Sequence, residues 1–148
     1  MFFTHSKLLK TMEQFTYLGT LGMGNSPVVY RSSVQIDIRK GDKHILQMAI
    51  VDSGSDITLM DFEIAQFLEI DLATCDRVNL GGIIGKSVGY SSEVSIVVEK
   101  FKKEISIPVV FTEELNTGIL LGQTGFFDNY KITFDRRNRA FSLEENAK

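Results

Sequence analysis

Tryptophan is missing from these 148 residues, and there are only two prolines, two histidines and one cysteine. A lone Cys75 cannot close an internal disulfide. With only His5 and His44 beside it, the chain has too few soft ligands for a structural zinc site, so neither metal nor cofactor is expected. No segment approaches the ~20 consecutive apolar residues of a membrane span. The N-terminus lacks a charged stretch followed by a long apolar run, so no secretory signal is expected and the default setting is cytoplasmic. Basic residues do not predominate: 16 Lys and Arg against 19 Asp and Glu leave a net charge of −3, which argues against a nucleic-acid partner. What remains is a chain 43% hydrophobic and 24% charged, the balance of a folded globular protein rather than a disordered one. Its length suits one domain, long enough to bury a core without staples.

Residues 1–27 read as an N-terminal appendage and linker. Leu8, Leu9, Met12 and Phe15 recur at helical spacing and predict a short amphipathic helix, and Gly19 to Pro27 is rich in glycine. From residue 28 to 145 the pattern is that of strands. Val34, Ile36 and Ile38 alternate with polar residues, and Lys40-Gly41-Asp42-Lys43 reads as a turn into a second strand ending at Val51. Further hairpins are expected around Glu99-Lys100 and Arg136-Arg137-Asn138, and Pro108 places its strand at an edge or a bulge. One helix is convincing: Asp61 is its N-cap and Ile64, Phe67 and Leu68 its apolar face. Many short strands with one short helix predict an all-β barrel or sandwich. No internal repeat is present.

The chemistry concentrates in Val51-Asp52-Ser53-Gly54-Ser55-Asp56-Ile57. An apolar strand delivers a carboxylate at its end, and Gly54 permits a tight turn and close approach of a partner. A plain Asx-type turn would look the same, so this segment alone does not define a site. Two others accompany it: the glycine-rich hairpin tip Gly81-Gly82-Ile83-Ile84-Gly85, and the apolar run Ile119-Leu120-Leu121 directly before Gly122. The tip runs into Lys86-Ser87 and nearly spells a nucleotide-binding loop. That motif needs a glycine where Leu80 stands, and no long helix follows.

In this order the three segments resemble the retroviral-type (retropepsin-like) aspartic proteases, including their bacterial relatives, over roughly residues 34–135. The resemblance implies a small closed barrel, active as a twofold homodimer on an extended peptide or protein substrate. Asp52 would be the catalytic carboxylate, and Ser53, where threonine is commoner, would brace the active-site turn against the partner subunit. Gly54 would let the two turns meet, and Ser55 holds the place where the family carries Ala or Ser. Gly81 to Gly85 would form the flap over the bound peptide, and residues 119–122 the strand behind the catalytic loop. Asp56 would contact substrate main chain, and Ile57, Ile83 and Ile84 would line apolar subsites. A Ser55 hydroxyl donated to the ionised Asp52 would favour its charged form.

Peptide hydrolysis by this route takes two carboxylates around one water. One Asp-Ser-Gly and no duplicated half require the second carboxylate to come from a second chain. The alternative is a non-catalytic peptide-binding or dimerisation module on the same fold. A glycosidase would need a second internal carboxylate, for which Asp56 is the candidate, and the missing tryptophan leaves no platform for a sugar ring. A serine or cysteine hydrolase would need a base near its nucleophile. His5 lies in the appendage, His44 lies beside a turn, and no nucleophile elbow surrounds Ser53.

Overall fold

A computed structural model of the protein describes residues 11–22, 24, 27–81, 86–113, 115 and 117–147. In chain order the strands are β1 (Met12–Thr16), β2 (Leu18–Thr20), β3 (Val29–Arg31), β4 (Ser33–Lys40), β5 (Lys43–Val51) and β6 (Leu59–Asp61). Helix α1 (Phe62–Phe67) follows, then β7 (Asp76–Gly81), β8 (Lys86–Val98), β9 (Glu104–Thr112), β10 (Ile119–Leu121), β11 (Tyr130–Asp135) and β12 (Ala140–Glu145). The main sheet runs β4-β5-β10-β6-β9-β8-β7, and a further pairing of β4 with β8 closes it into a barrel with β7 outside the ring.

Alternation builds that barrel. Val34, Ile36 and Ile38 of β4 point inward, as do Val94, Ile96 and Val98 of β8 and Ile105, Ile107 and Val109 of β9, all of them buried. Each such side chain contributes about 1.5–3 kcal/mol of transfer free energy on burial. Gly41, at φ +59°, makes the β4–β5 turn where the sequence places it, and β8–β9 and β11–β12 also form as hairpins. Pro108 faces Glu93 of β8, whereas β6 pairs with β9 only at 110–112, so the proline's other side is a local edge.

A second sheet, β1-β12-β11, adjoins the barrel. Residues 12–16 therefore form a strand, not the helix their spacing suggests, while Leu8 and Leu9 lie outside the described residues. Pairing with β12 buries Phe15 against Phe141, with ring centroids 5.3 Å apart, and this tertiary gain outweighs a local period. Lys100 holds the strand from the β8–β9 turn. Its Nζ lies 4.6 Å from the centre of the Phe15 ring and donates to the Gln14 carbonyl at 2.6 Å. The glycine-rich stretch is also more than a linker, because β2 pairs with β3 and Arg139 stacks over Tyr30 at 3.7 Å.

Phe101, Phe126 and Tyr130 fill the junction between barrel and second sheet. The buried Tyr130 hydroxyl has no hydrogen-bond partner among the described residues. Burial, and secondarily Glu145, push its phenol up to about 12. Helix α1 is capped by Asp61, whose side chain accepts the Glu63 N–H. Ile64 and Leu68 are buried as expected, but Phe67 is 53% exposed. The inward face runs through Ile64, Ala65 and Leu68, which leaves Phe67 to one side of it.

Candidate active site

Strand β5 is anchored at its end. The Val51 N–H donates to the Ser32 carbonyl at 2.8 Å and the Ser32 hydroxyl donates to the Val51 carbonyl at 2.9 Å. Asp52, half-buried, is the next residue, so its Cα is fixed by a buried strand rather than by a free loop. The Gly54 N–H donates to Asp52 Oδ1 at 2.9 Å. A Cβ on Gly54 would stand 3.3 Å from that same oxygen, tighter than side chains normally pack.

Strand β10 inserts between β5 and β6, parallel to the first (Leu120 opposite Ile50) and antiparallel to the second (Leu120 opposite Leu59). From there it grips the 52–57 loop from below. The Asp52 N–H donates to the Leu121 carbonyl at 2.9 Å, Gln123 N–H to the Ser55 carbonyl at 2.8 Å, and Thr124 N–H to the Asp56 carbonyl at 2.9 Å. The fit is close enough that a side chain on Gly122 would run into the Ile57 and Ser55 carbonyls. The buried Gly122 N–H is satisfied by Thr58 Oγ1 at 3.1 Å, and Thr58 is itself fully buried. Residues 119–122 thus pack behind the loop, as the resemblance implies.

The fold brings Asp52, Ser53, Gly54, Ser55, Asp56 and Ile57 into one turn at the end of β5. Ser53, Gly54 and Asp56 are exposed, and Ser55 and Ile57 are half-buried. Ser55 departs from expectation: its hydroxyl donates to the Ile57 carbonyl at 2.6 Å, so its proton is committed within the loop rather than to Asp52. The hydrogen bond that reaches Asp52 is a backbone one, from Gly54. Among the described residues Asp52 makes no ion pair and no group of metal-ligating side chains gathers. Gly81 ends β7 opposite Lys86 of β8, so a long hairpin leads to the glycine-rich tip. Gly82, Ile83, Ile84 and Gly85 lie outside the described residues.

Three residues of this neighbourhood are absent from the sequence reading of the site: Ser32, Thr58 and Gln123. The Gln123 side-chain amide donates to the Ser53 carbonyl at 2.8 Å across 70 positions of sequence. Its signal is its place directly after Gly122. Ser32 and Thr58 carry none, because their partners are backbone groups that only the tertiary fold delivers.

No protein-family model and no curated protein matches the sequence. Solved structures do match. A retropepsin-like aspartic protease from Rickettsia conorii superposes with a TM-score of 0.55 at 21% identity, over 75% of this chain and 89% of that one. The retroviral protease-like domain of Ddi1 from Leishmania major superposes with a TM-score of 0.51 at 11% identity, over 78% of this chain and 95% of that one. At these identities the likeness defines the architecture, and this chain has the retropepsin-like all-β fold.

Proposed function

We propose that the protein is an aspartic endopeptidase whose active site forms between two copies of the chain, each contributing Asp52. The observation that carries this reading is the placement of Asp52. It sits half-buried and without an ion pair among the described residues, at the end of a barrel strand, in a loop braced by β10, on a fold shared with the aspartic protease from Rickettsia. Two such carboxylates around one water share a proton, because like charges ~3 Å apart do not both ionise. The ionised one takes a proton from the water as its oxygen attacks the scissile carbonyl carbon. The neutral one donates its proton to the carbonyl oxygen. As the tetrahedral intermediate collapses, the C–N bond breaks, the amine leaves with the proton taken from the water, and a hydroxyl of the intermediate returns a proton to the other carboxylate. The apparent pKa values belong to the pair, not to either Asp52.

The twofold axis follows from arithmetic: one Asp-Ser-Gly per chain and no internal duplicate. In this reading Ser53 and Gly54, both exposed, meet their counterparts across the axis, with Ser53 bracing the partner's turn. Substrate binds as an extended peptide beneath the β7–β8 hairpin, adding main-chain hydrogen bonds as a strand would. Gly81 to Gly85 act as the flap, Asp56 contacts substrate main chain, and Ile57, Ile83 and Ile84 favour apolar side chains. Residues 28–145 form the protease domain and residues 1–27 an N-terminal arm that β1 ties to β12. The cytoplasmic setting belongs to the same proposal. Among the described residues, no helix is long and apolar enough to cross a membrane.

The test is peptide-library cleavage between roughly pH 3 and pH 7, with Asp52→Asn as control. Cleavage at apolar sites that disappears in the variant supports the enzyme. A folded wild-type protein that cleaves nothing, yet binds extended peptides, makes it a non-catalytic module.

A further inference from the structure

The Ser53–Gly54 peptide is held on both sides. Its N–H donates to Asp52 Oδ1 at 2.9 Å and its C=O accepts from Gln123 Nε2 at 2.8 Å. A trans peptide is planar, with C=O and N–H pointing opposite ways, so a donor that fixes the carbonyl also aims the amide. This peptide needs fixing. Gly54 populates both halves of φ space with little cost, and rotation about the Ser53 ψ and Gly54 φ would turn the N–H away from the carboxylate. The other clamps from β10 act on the Asp52 N–H and on the carbonyls of Ser55 and Asp56, leaving the Ser53 carbonyl untouched. Among the described residues Gln123 supplies its donor, and a carbonyl acceptor sets which end of the side-chain amide faces the loop.

We propose that Gln123 is a positioning residue for the Asp52 carboxylate: its side-chain amide anchors the Ser53–Gly54 peptide from the far side and aims the Gly54 N–H at Asp52 Oδ1. Its catalytic meaning rests on the aspartic-endopeptidase reading, but its geometric consequence does not. An N–H donated to a carboxylate favours the ionised form, so losing it disfavours the member of the dyad that must accept the proton from water. The other ionisable groups on the elements packed around the loop are Asp56 within it, Arg31 next to the Ser32 that bonds Val51, Asp61 at the far end of β6, and Asp128 beyond the turn that follows β10. β10 itself, and β5 from Ile45 to Val51, carry none. The Gly54 amide is therefore the close polar partner by which Gln123 reaches Asp52.

Gln123→Met keeps the length of the side chain and removes the donor, and Gln123→Lys restores a donor of similar reach. Gln123 is exposed, so both variants should fold, with circular dichroism as the check. In wild type the Gly54 amide proton shift should follow carboxylate titration and its hydrogen exchange should be slow. In Gln123→Met the exchange should quicken about tenfold, the dependence on carboxylate titration should fade, and the acidic limb of the pH–rate profile should move up. kcat should fall with KM little changed, and Gln123→Lys should recover the amide protection. Unchanged Gly54 exchange and an unchanged acidic limb in Gln123→Met would overturn the proposal. If the wild-type protein cleaves no peptide, the enzyme reading fails while the Gly54 amide still decides the role of Gln123.

Discussion

The two ends of β5 carry carboxylates in opposite company. Beside its start, Asp37 of β4 is bound to Arg39 Nε at 3.0 Å and lies 3.1 Å from His44 Nδ1, and Arg39 continues to Glu104 at 3.3 Å. Asp37 holds the Arg39 guanidinium above its ordinary value. At the other end Asp52 has no ionic partner among the described residues and accepts a backbone N–H instead. Asp37 is held by charged side chains, whereas Asp52 is held by a backbone N–H and stands clear of any cation among the described residues. The fold thus secures the exposed hairpin with charged side chains, and the site with backbone hydrogen bonds, uncharged side chains and close packing.

The largest effect should separate the two carboxylates directly. Asp52→Asn is expected to lower peptide cleavage by at least ~10³-fold without changing the circular dichroism spectrum, while Asp37→Asn keeps cleavage within about twofold. Equal losses would erase the distinction. Next comes the packing beneath the loop. Gly122→Ala places a methyl against the Ile57 and Ser55 carbonyls, where displacement costs about 1–3 kcal/mol, and should lower both the melting temperature and activity. Slightly smaller is Thr58→Val, which keeps the shape but strands the buried Gly122 N–H. The expected loss of about 1–2 kcal/mol reads as a lower urea midpoint at unchanged m-value. Arg39→Ala, at the exposed end, should move the melting temperature less than Gly122→Ala or Thr58→Val and leave cleavage intact. A larger loss there than in Thr58→Val would invert the comparison.

The same contrast explains what the sequence discloses. β4 announces itself because Val34, Ile36 and Ile38 each face the core and their neighbours do not. Asp52 is legible because an apolar strand ends on it. β1 is not legible. Met12 and Phe15 fit a helical period as well as a strand, and the choice is made by Phe141, more than a hundred residues away. β10 is three apolar residues with no period of its own, and its insertion between β5 and β6 is foreseeable only from the resemblance. Ser55 misleads for a related reason: a hydroxyl next to a carboxylate invites a contact, but the turn hands it the Ile57 carbonyl first. Hydrogen bonds to backbone groups brought in from afar, at Ser32 and Thr58, leave no trace in composition or spacing.

The shared site is tested most directly by mixing wild-type chains with Asp52→Asn chains, allowing exchange, and measuring cleavage per wild-type chain. If each site needs two Asp52 carboxylates, random pairing at a ninefold excess of variant should reduce that activity to roughly one tenth. If a single chain carries a complete site, the activity per wild-type chain stays constant at every ratio, and the account of a dyad divided between two subunits is wrong.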